Sequence, residues 1–95
     1  MTNLPLTLHK TYYENGFFNV TVAFDHLACA NDGPVHLIPD GAPTILGKVD
    51  RHANLNGTAR IFGGVELRNW FQKNFELDDV IQVEFVSDIV IRLYK

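Results

Sequence analysis

The chain has 95 residues, 46% hydrophobic, 12% aromatic and 20% charged, with eight Lys and Arg against eleven Asp and Glu for a formal net charge of −3. That length holds one domain over residues 1–95, and the aromatic content excludes a disordered tail. No apolar run approaches the roughly 18 residues of a membrane span, the start lacks a signal-peptide pattern, and the lone Cys29 fits a reducing, cytoplasmic setting without an internal disulfide.

Leu4 to Leu8 alternates apolar and polar positions around Pro5, which predicts an edge strand. His9 to Gly16 breaks the alternation as a polar and aromatic loop and ends in the turn signal Asn15-Gly16. Thr21 stands at a cap position before Phe24, Leu27 and Ala28 at helical spacing, and Asn31-Asp32-Gly33 ends that helix; alternation from Phe18 to Phe24 also fits a strand. Val35 to Pro39 and Thr44 to Val49 are predicted strands about the turn Pro39-Asp40-Gly41. Asp50 to Arg60 is polar, with a bend at Asn56-Gly57, and Ala59 to Phe62 returns as a strand. After Gly63-Gly64 comes the clearest helix, Val65 to Phe75, with Leu67, Trp70, Phe71 and Phe75 on one stripe. Leu77-Asp78-Asp79 turns into the strand Val80 to Val86, and Ser87-Asp88 into the strand Ile89 to Tyr94. Many short strands with two interposed helices, neither inside a βαβ unit, predict a mainly β, open or half-closed barrel, α+β by content.

The charge is unevenly placed. Residues 1–40 carry Lys10 against Glu14, Asp25, Asp32 and Asp40, and residues 65–95 hold four cations against six anions. Residues 41–64 carry Lys48, Arg51 and Arg60 against Asp50 alone, a basic segment within an acidic chain. Charges are screened beyond roughly 8–10 Å, so phosphate binding depends on local rather than total charge.

Signals for catalysis are weak. Cys29 with His26 three residues earlier sits in an apolar stretch that suits a buried thiol. His9, His26, His36 and His52 show no metal-ligand spacing, and Gly63-Gly64 lacks the lysine and hydroxyl of a phosphate loop. A non-enzyme without metal or cofactor is expected. The middle segment is richer in binding chemistry: Lys48, Arg51, His52, Asn54, Asn56, Thr58 and Arg60 gather donors within thirteen positions. Arg pairs with guanine edges and Asn with adenine edges, while Lys and Thr anchor phosphates. A solvated hairpin whose asparagines satisfy turn backbone has the same composition. A second polar and aromatic surface, Lys10, Tyr12, Tyr13 and Asn15, offers tyrosine hydroxyls to phosphate or sugar.

The run GKVDRHANLNGTARIFGGVELRNWFQKNFELDDVIQVEF, closing in IVIRL, resembles the DNA-binding pseudobarrel superfamily, and FFNVTVAF resembles its aromatic entry segment. That group includes the plant domains called B-three and the effector or target-recognition domains of restriction endonucleases such as EcoRII and BfiI; the likeness is to the bacterial branch. The resemblance implies a seven- or eight-stranded open barrel with short helices at its ends and two loop arms that grip the DNA major groove. It places one arm at Lys10 to Asn15 and the other at Arg51 to Thr58, with Lys48 and Arg60 on flanking strands. The family's Gly-Asp turn after the helix is Asp78-Asp79 in this chain.

The expectation is sequence-specific binding of double-stranded DNA without catalysis, restriction-effector-like or regulatory. Arg51, Asn54, Asn56 and Thr58 would read base edges, and Lys48, Arg60 and Lys10 would hold phosphates. Any cutting would need a separate nuclease or other protein. The alternative is a barrel that holds a small ligand, or pairs with another protein through the strand Ile89 to Tyr94, and does not touch nucleic acid.

Overall fold

Alternating apolar residues build a single curled sheet around one core, with a short helix pair packed across one end. The computed structural model describes residues 2–28, 33–55 and 57–95. Cys29, the Asn31-Asp32 turn and Asn56 therefore lie outside the described residues. Among these residues the strands are β1 (Thr2–Thr7), β2 (Phe17–Asn19), β3 (Pro34–Pro39), β4 (Ile45–Asp50), β5 (Arg60–Phe62), β6 (Val80–Phe85) and β7 (Val90–Tyr94). The helices are α1 (Lys10–Asn15) and α2 (Gly64–Asn74), and a 3-10 helix spans Val22–Leu27 between β2 and β3.

The sheet order is β1-β6-β7-β3-β4-β5-β2. Neighbours pair antiparallel except β3 with β7, which run parallel. The two edges, β1 and β2, face each other across an unpaired slot lined by Leu4 to Thr7 on one side and Asn19 and Thr21 on the other. The barrel is thus open. Pro5 sits on the β1 edge, the position in a sheet where a missing N–H is tolerated.

The core is the inward set of this alternation: Val35 and Leu37 of β3, Ile45 and Val49 of β4, Ile61 of β5, Ile81 and Val83 of β6, Ile91 and Leu93 of β7. Leu67, Trp70 and Phe71 of α2, with Phe75 just beyond it, close one end as the helical stripe predicts. α1 lies against α2: Gln72 Nε2 donates to the Tyr13 carbonyl and Tyr13 Oη donates to the Phe75 carbonyl at 2.8 Å.

Two expectations need correction. Lys10 to Asn15 is a helix rather than a loop, and Gly16 in the left-handed region ends it, its N–H donating to the Tyr12 carbonyl. The Asn15-Gly16 turn signal therefore marks a helix C-terminus. The segment after Thr21 is the short helix of the first of the two readings, but of the 3-10 type over Val22–Leu27, and Thr21 at its N-cap makes no side-chain bond. β7 is an inner strand between β6 and β3, so it offers no edge for pairing with another protein.

The turn after α2 carries one strained residue, Asp78, at φ 70°. Its N–H donates to the Leu8 carbonyl, and its carboxylate lies 3.7 Å from His9 Nδ1 with both side chains exposed. A side chain costs about 1–2 kcal/mol in this region, and an exposed ion pair contributes little. Asp78→Gly is expected to raise unfolding stability by about 1 kcal/mol, read as a higher urea midpoint at unchanged slope. No gain would mean that the His9 contact offsets the strain. Among the described residues, no helix is long and apolar enough to cross a membrane.

Candidate nucleic-acid interface

Strand alternation turns one set of side chains out of the barrel beside the β4–β5 loop. Phe17 and Asn19 of β2, Arg60 and Phe62 of β5, and Lys48 of β4 share that outward face, since Asn19 pairs with Arg60, and Phe62 with both Phe17 and Lys48. The Arg60 guanidinium stacks 4.2 Å above the Phe17 ring centroid, and its Nε donates to Asn19 Oδ1 at 3.0 Å. This leaves its two Nη groups without a protein acceptor among the described residues. Tyr12 packs edge-on against the same Phe17 ring, so α1 joins this face through an aromatic contact.

The β4–β5 loop is braced from within. Arg51 Nη1 donates to both carboxylate oxygens of Asp25, each at 2.8 Å, and Nη2 donates to the carbonyls of Asp25 and Ala28. Asp25 Oδ1 also accepts the Ala59 N–H at 2.7 Å. One carboxylate on the 3-10 turn thus holds both limbs of the loop. Partial burial raises the Asp25 pKa, but the Arg51 hydrogen bonds, the Ala59 N–H and the Arg51 charge outweigh it and keep the carboxyl below its ordinary 3.8. Asn54 Nδ2 donates to Asn19 Oδ1 at 3.1 Å and to the Thr58 carbonyl at 3.2 Å. The next residue, Leu55, is fully exposed. Asn19, Asn54, Leu55 and Thr58 line a solvent-open concavity of about 420 Å³.

The expected site residues separate on this geometry. Lys48, Arg60 and Asn54 lie on or beside one surface, and His52 is exposed on the loop, its N–H held by Asp50 Oδ1. The Arg51 guanidinium is turned into the domain, where a carboxylate and backbone carbonyls hold it. Thr58 is 9% exposed and lines the floor of the concavity. Tyr13 is tied to Phe75 and packs on the core, and Asn15 donates to the Thr11 carbonyl within its own helix. Lys10 is exposed at the start of α1, and Tyr12 contributes its ring through Phe17. Asn56 lies outside the described residues.

Asn19, Asp25 and Phe17 are the residues that sequence reasoning missed. Asn19 and Phe17 carried a readable signal: they flank Phe18 in an alternating run and so share the face opposite to it. Asp25 carried none, because its partners lie 26 and 34 residues away.

A second, smaller but more enclosed cleft of about 270 Å³ lies at the far end of β4, lined by Ala42, Pro43, Ile45 and Trp70 with Glu66 and Lys73. No group of three or more His, Cys, Asp or Glu placed to hold a metal ion occurs among the described residues.

No family model and no characterised protein sequence matches the chain. Solved structures share its architecture. A hypothetical Arabidopsis thaliana protein, At1g16640.1, superposes with a TM-score of 0.68 at 10% identity over 97% of this chain and 86% of that one. The N-terminal domain of Helicobacter pylori LlaJI.R1 superposes with a TM-score of 0.66 at 12% identity over 98% of this chain and 85% of that one. At such identities the likeness is one of fold.

Proposed function

We propose that the chain is a non-catalytic domain that binds double-stranded DNA with sequence preference, through the β4–β5 loop and the outward face of β2, β5 and β4. The observation that carries this reading is the Arg60 guanidinium, stacked on Phe17 and locked to Asn19 with its Nη donors outward, on the same face as Lys48 and next to a polar concavity at the loop. A fixed guanidinium over an aromatic ring meets a phosphate without losing side-chain freedom, and amide groups beside it suit base edges. The fold shared with the N-terminal domain of LlaJI.R1, and the sequence resemblance to restriction-endonuclease effector domains, support the reading at the level of architecture.

The interface is small. Arg51 is neutralised by Asp25, and Arg92 by the buried Glu84 at 2.8 Å. Lys48 and Arg60 remain as its central cations, with Lys10 at the rim. Affinity is accordingly modest and salt-sensitive. The longest dimension, 30 Å, spans about nine base pairs. Mobility-shift selection from duplexes randomised over about ten base pairs, at moderate salt, tests the reading. An enriched sequence supports it; salt-independent retention or no retention contradicts it. Lys48→Ala is expected to weaken binding to every duplex alike and to make the slope of log K against log salt shallower by about one unit. A loss confined to the selected sequence would instead place Lys48 on a base.

A second reading, a ligand-holding domain without DNA, rests on the Trp70 cleft. At about 270 Å³ it falls just under the roughly 300–1,000 Å³ of ordinary ligand pockets. Its position, at the opposite end of β4 from the loop, lets the two readings be tested separately.

A further inference from the structure

Two asparagines at the concavity are oriented by partners whose polarity is fixed. Arg60 Nε is only a donor, so the Asn19 atom that meets it is Oδ1, and the same oxygen accepts from Asn54. The Thr58 carbonyl is only an acceptor, so the Asn54 atom that meets it is Nδ2. Both hydrogens of Asn54 Nδ2 are thereby engaged. The groups that remain are the Asn19 Nδ2 donor and the Asn54 Oδ1 acceptor, neither of which has a protein partner among the described residues. Next to them stands Leu55, whose 110% relative exposure puts every side-chain carbon in water.

We infer that this concavity reads one A·T base pair from the major groove, an inference that rests on the DNA-binding reading above. An A·T pair presents adenine N7 as acceptor, adenine N6–H as donor, and the thymine C5-methyl as its apolar mark. Asn19 Nδ2 matches N7, Asn54 Oδ1 matches N6–H, and Leu55 covers the methyl. The adenine contact that one asparagine usually makes with both ends of its amide is here divided between two residues. The Asn54–Asn19–Arg60 chain presets both amides, so little side-chain freedom is lost on binding. A C5-methyl also occurs on 5-methylcytosine, but the opposing guanine offers only acceptors to Asn54 Oδ1, which disfavours that source.

The test uses the full chain and the duplex enriched from the random pool, with single-atom base changes and three variants. At one A·T position, replacing adenine with 7-deazaadenine is expected to weaken wild-type binding about tenfold, and replacing thymine with deoxyuridine several-fold. Leu55→Ala should abolish the deoxyuridine penalty and keep the 7-deaza penalty. Asn19→Asp keeps both accepted hydrogen bonds but removes the outward donor, so adenine preference at that position should be lost while the urea midpoint stays close to wild type. Asn54→Asp serves as the opposite control: it removes the donor that bonds Asn19, so it should loosen the loop and weaken all duplexes. A 5-methylcytosine–guanine pair that binds as well as A·T would overturn the assignment to adenine. Sequence-selective binding in which Asn19→Asp and Leu55→Ala change no position's preference overturns this inference and leaves the DNA reading standing. Absence of salt-dependent binding to any duplex overturns both.

Discussion

Gly16→Ala is expected to lower the unfolding free energy by about 2–5 kcal/mol, a large part of the roughly 5–15 kcal/mol that holds a domain of this size. Gly16 ends α1 at φ 73°, where a side chain alone costs about 1–2 kcal/mol. The larger obstacle is contact. A Cβ on Gly16 would run into the Gly64 carbonyl oxygen and lie 2.8 Å from the Arg68 nitrogen, both backbone atoms of α2 that have no rotamer to yield. Forced overpacking of this kind adds about 1–3 kcal/mol. The Gly16 carbonyl also accepts the N–H groups of Gly63 and Gly64, each at 3.0 Å, so a shift that relieves the clash strains the start of α2. Gly41 supplies the control: its φ of 74° is the same, but nothing lies within 4 Å of its added Cβ, so Gly41→Ala should cost only about 1 kcal/mol. Urea unfolding followed by fluorescence of Trp70, the single tryptophan, measures both. Equal costs would mean that α1 does not dock on α2 as described.

Asp25→Ala should cost about 2–3 kcal/mol and release the β4–β5 loop. It removes the acceptor of the Ala59 N–H and takes the carboxylate away from the Arg51 guanidinium, which is 22% exposed. Hydrogen bonds to charged groups contribute about 1.5–3 kcal/mol each, and loss of one member of a buried pair costs about 3–5. The lower figure fits here because both side chains retain some contact with water. The pH dependence has a definite sign. The folded carboxyl titrates below its ordinary 3.8, so its contribution is present above that value and is lost as the pH falls through the folded pKa. Wild-type stability should therefore drop more steeply than that of Asp25→Asn below about pH 4. Parallel curves would show that Asp25 is not ion-paired in solution. The same variants should raise hydrogen exchange at Arg51 to Ala59 before they raise it in the core.

Periodicity located most of the fold. Helical spacing of Leu67, Trp70, Phe71 and Phe75 identified α2, and alternation around Ile81, Val83, Ile91 and Leu93 identified β6 and β7. Local pattern says nothing of strand order, so the placement of β7 inside the sheet, parallel to β3, was not legible. α1 was missed because its six residues contain no buried side chain and hence no apolar stripe. The site was legible by composition but not by role. Arg51 and Arg60 look alike in sequence; one is turned inward by Asp25 and the other outward over Phe17, and both partners are remote in the chain. The same pairing qualifies the basic middle segment, since part of its charge is cancelled by the acidic first forty residues.

The most direct measurement of the central claim is an amide chemical-shift titration of the labelled protein with its selected duplex. Binding through this face should place the largest changes on Lys48 to Phe62 and on Asn19, with lesser ones on Lys10 and Tyr12, all shrinking as salt rises. Changes confined to Ala42 to Ile45 and Trp70, or no salt-dependent change at all, would contradict it.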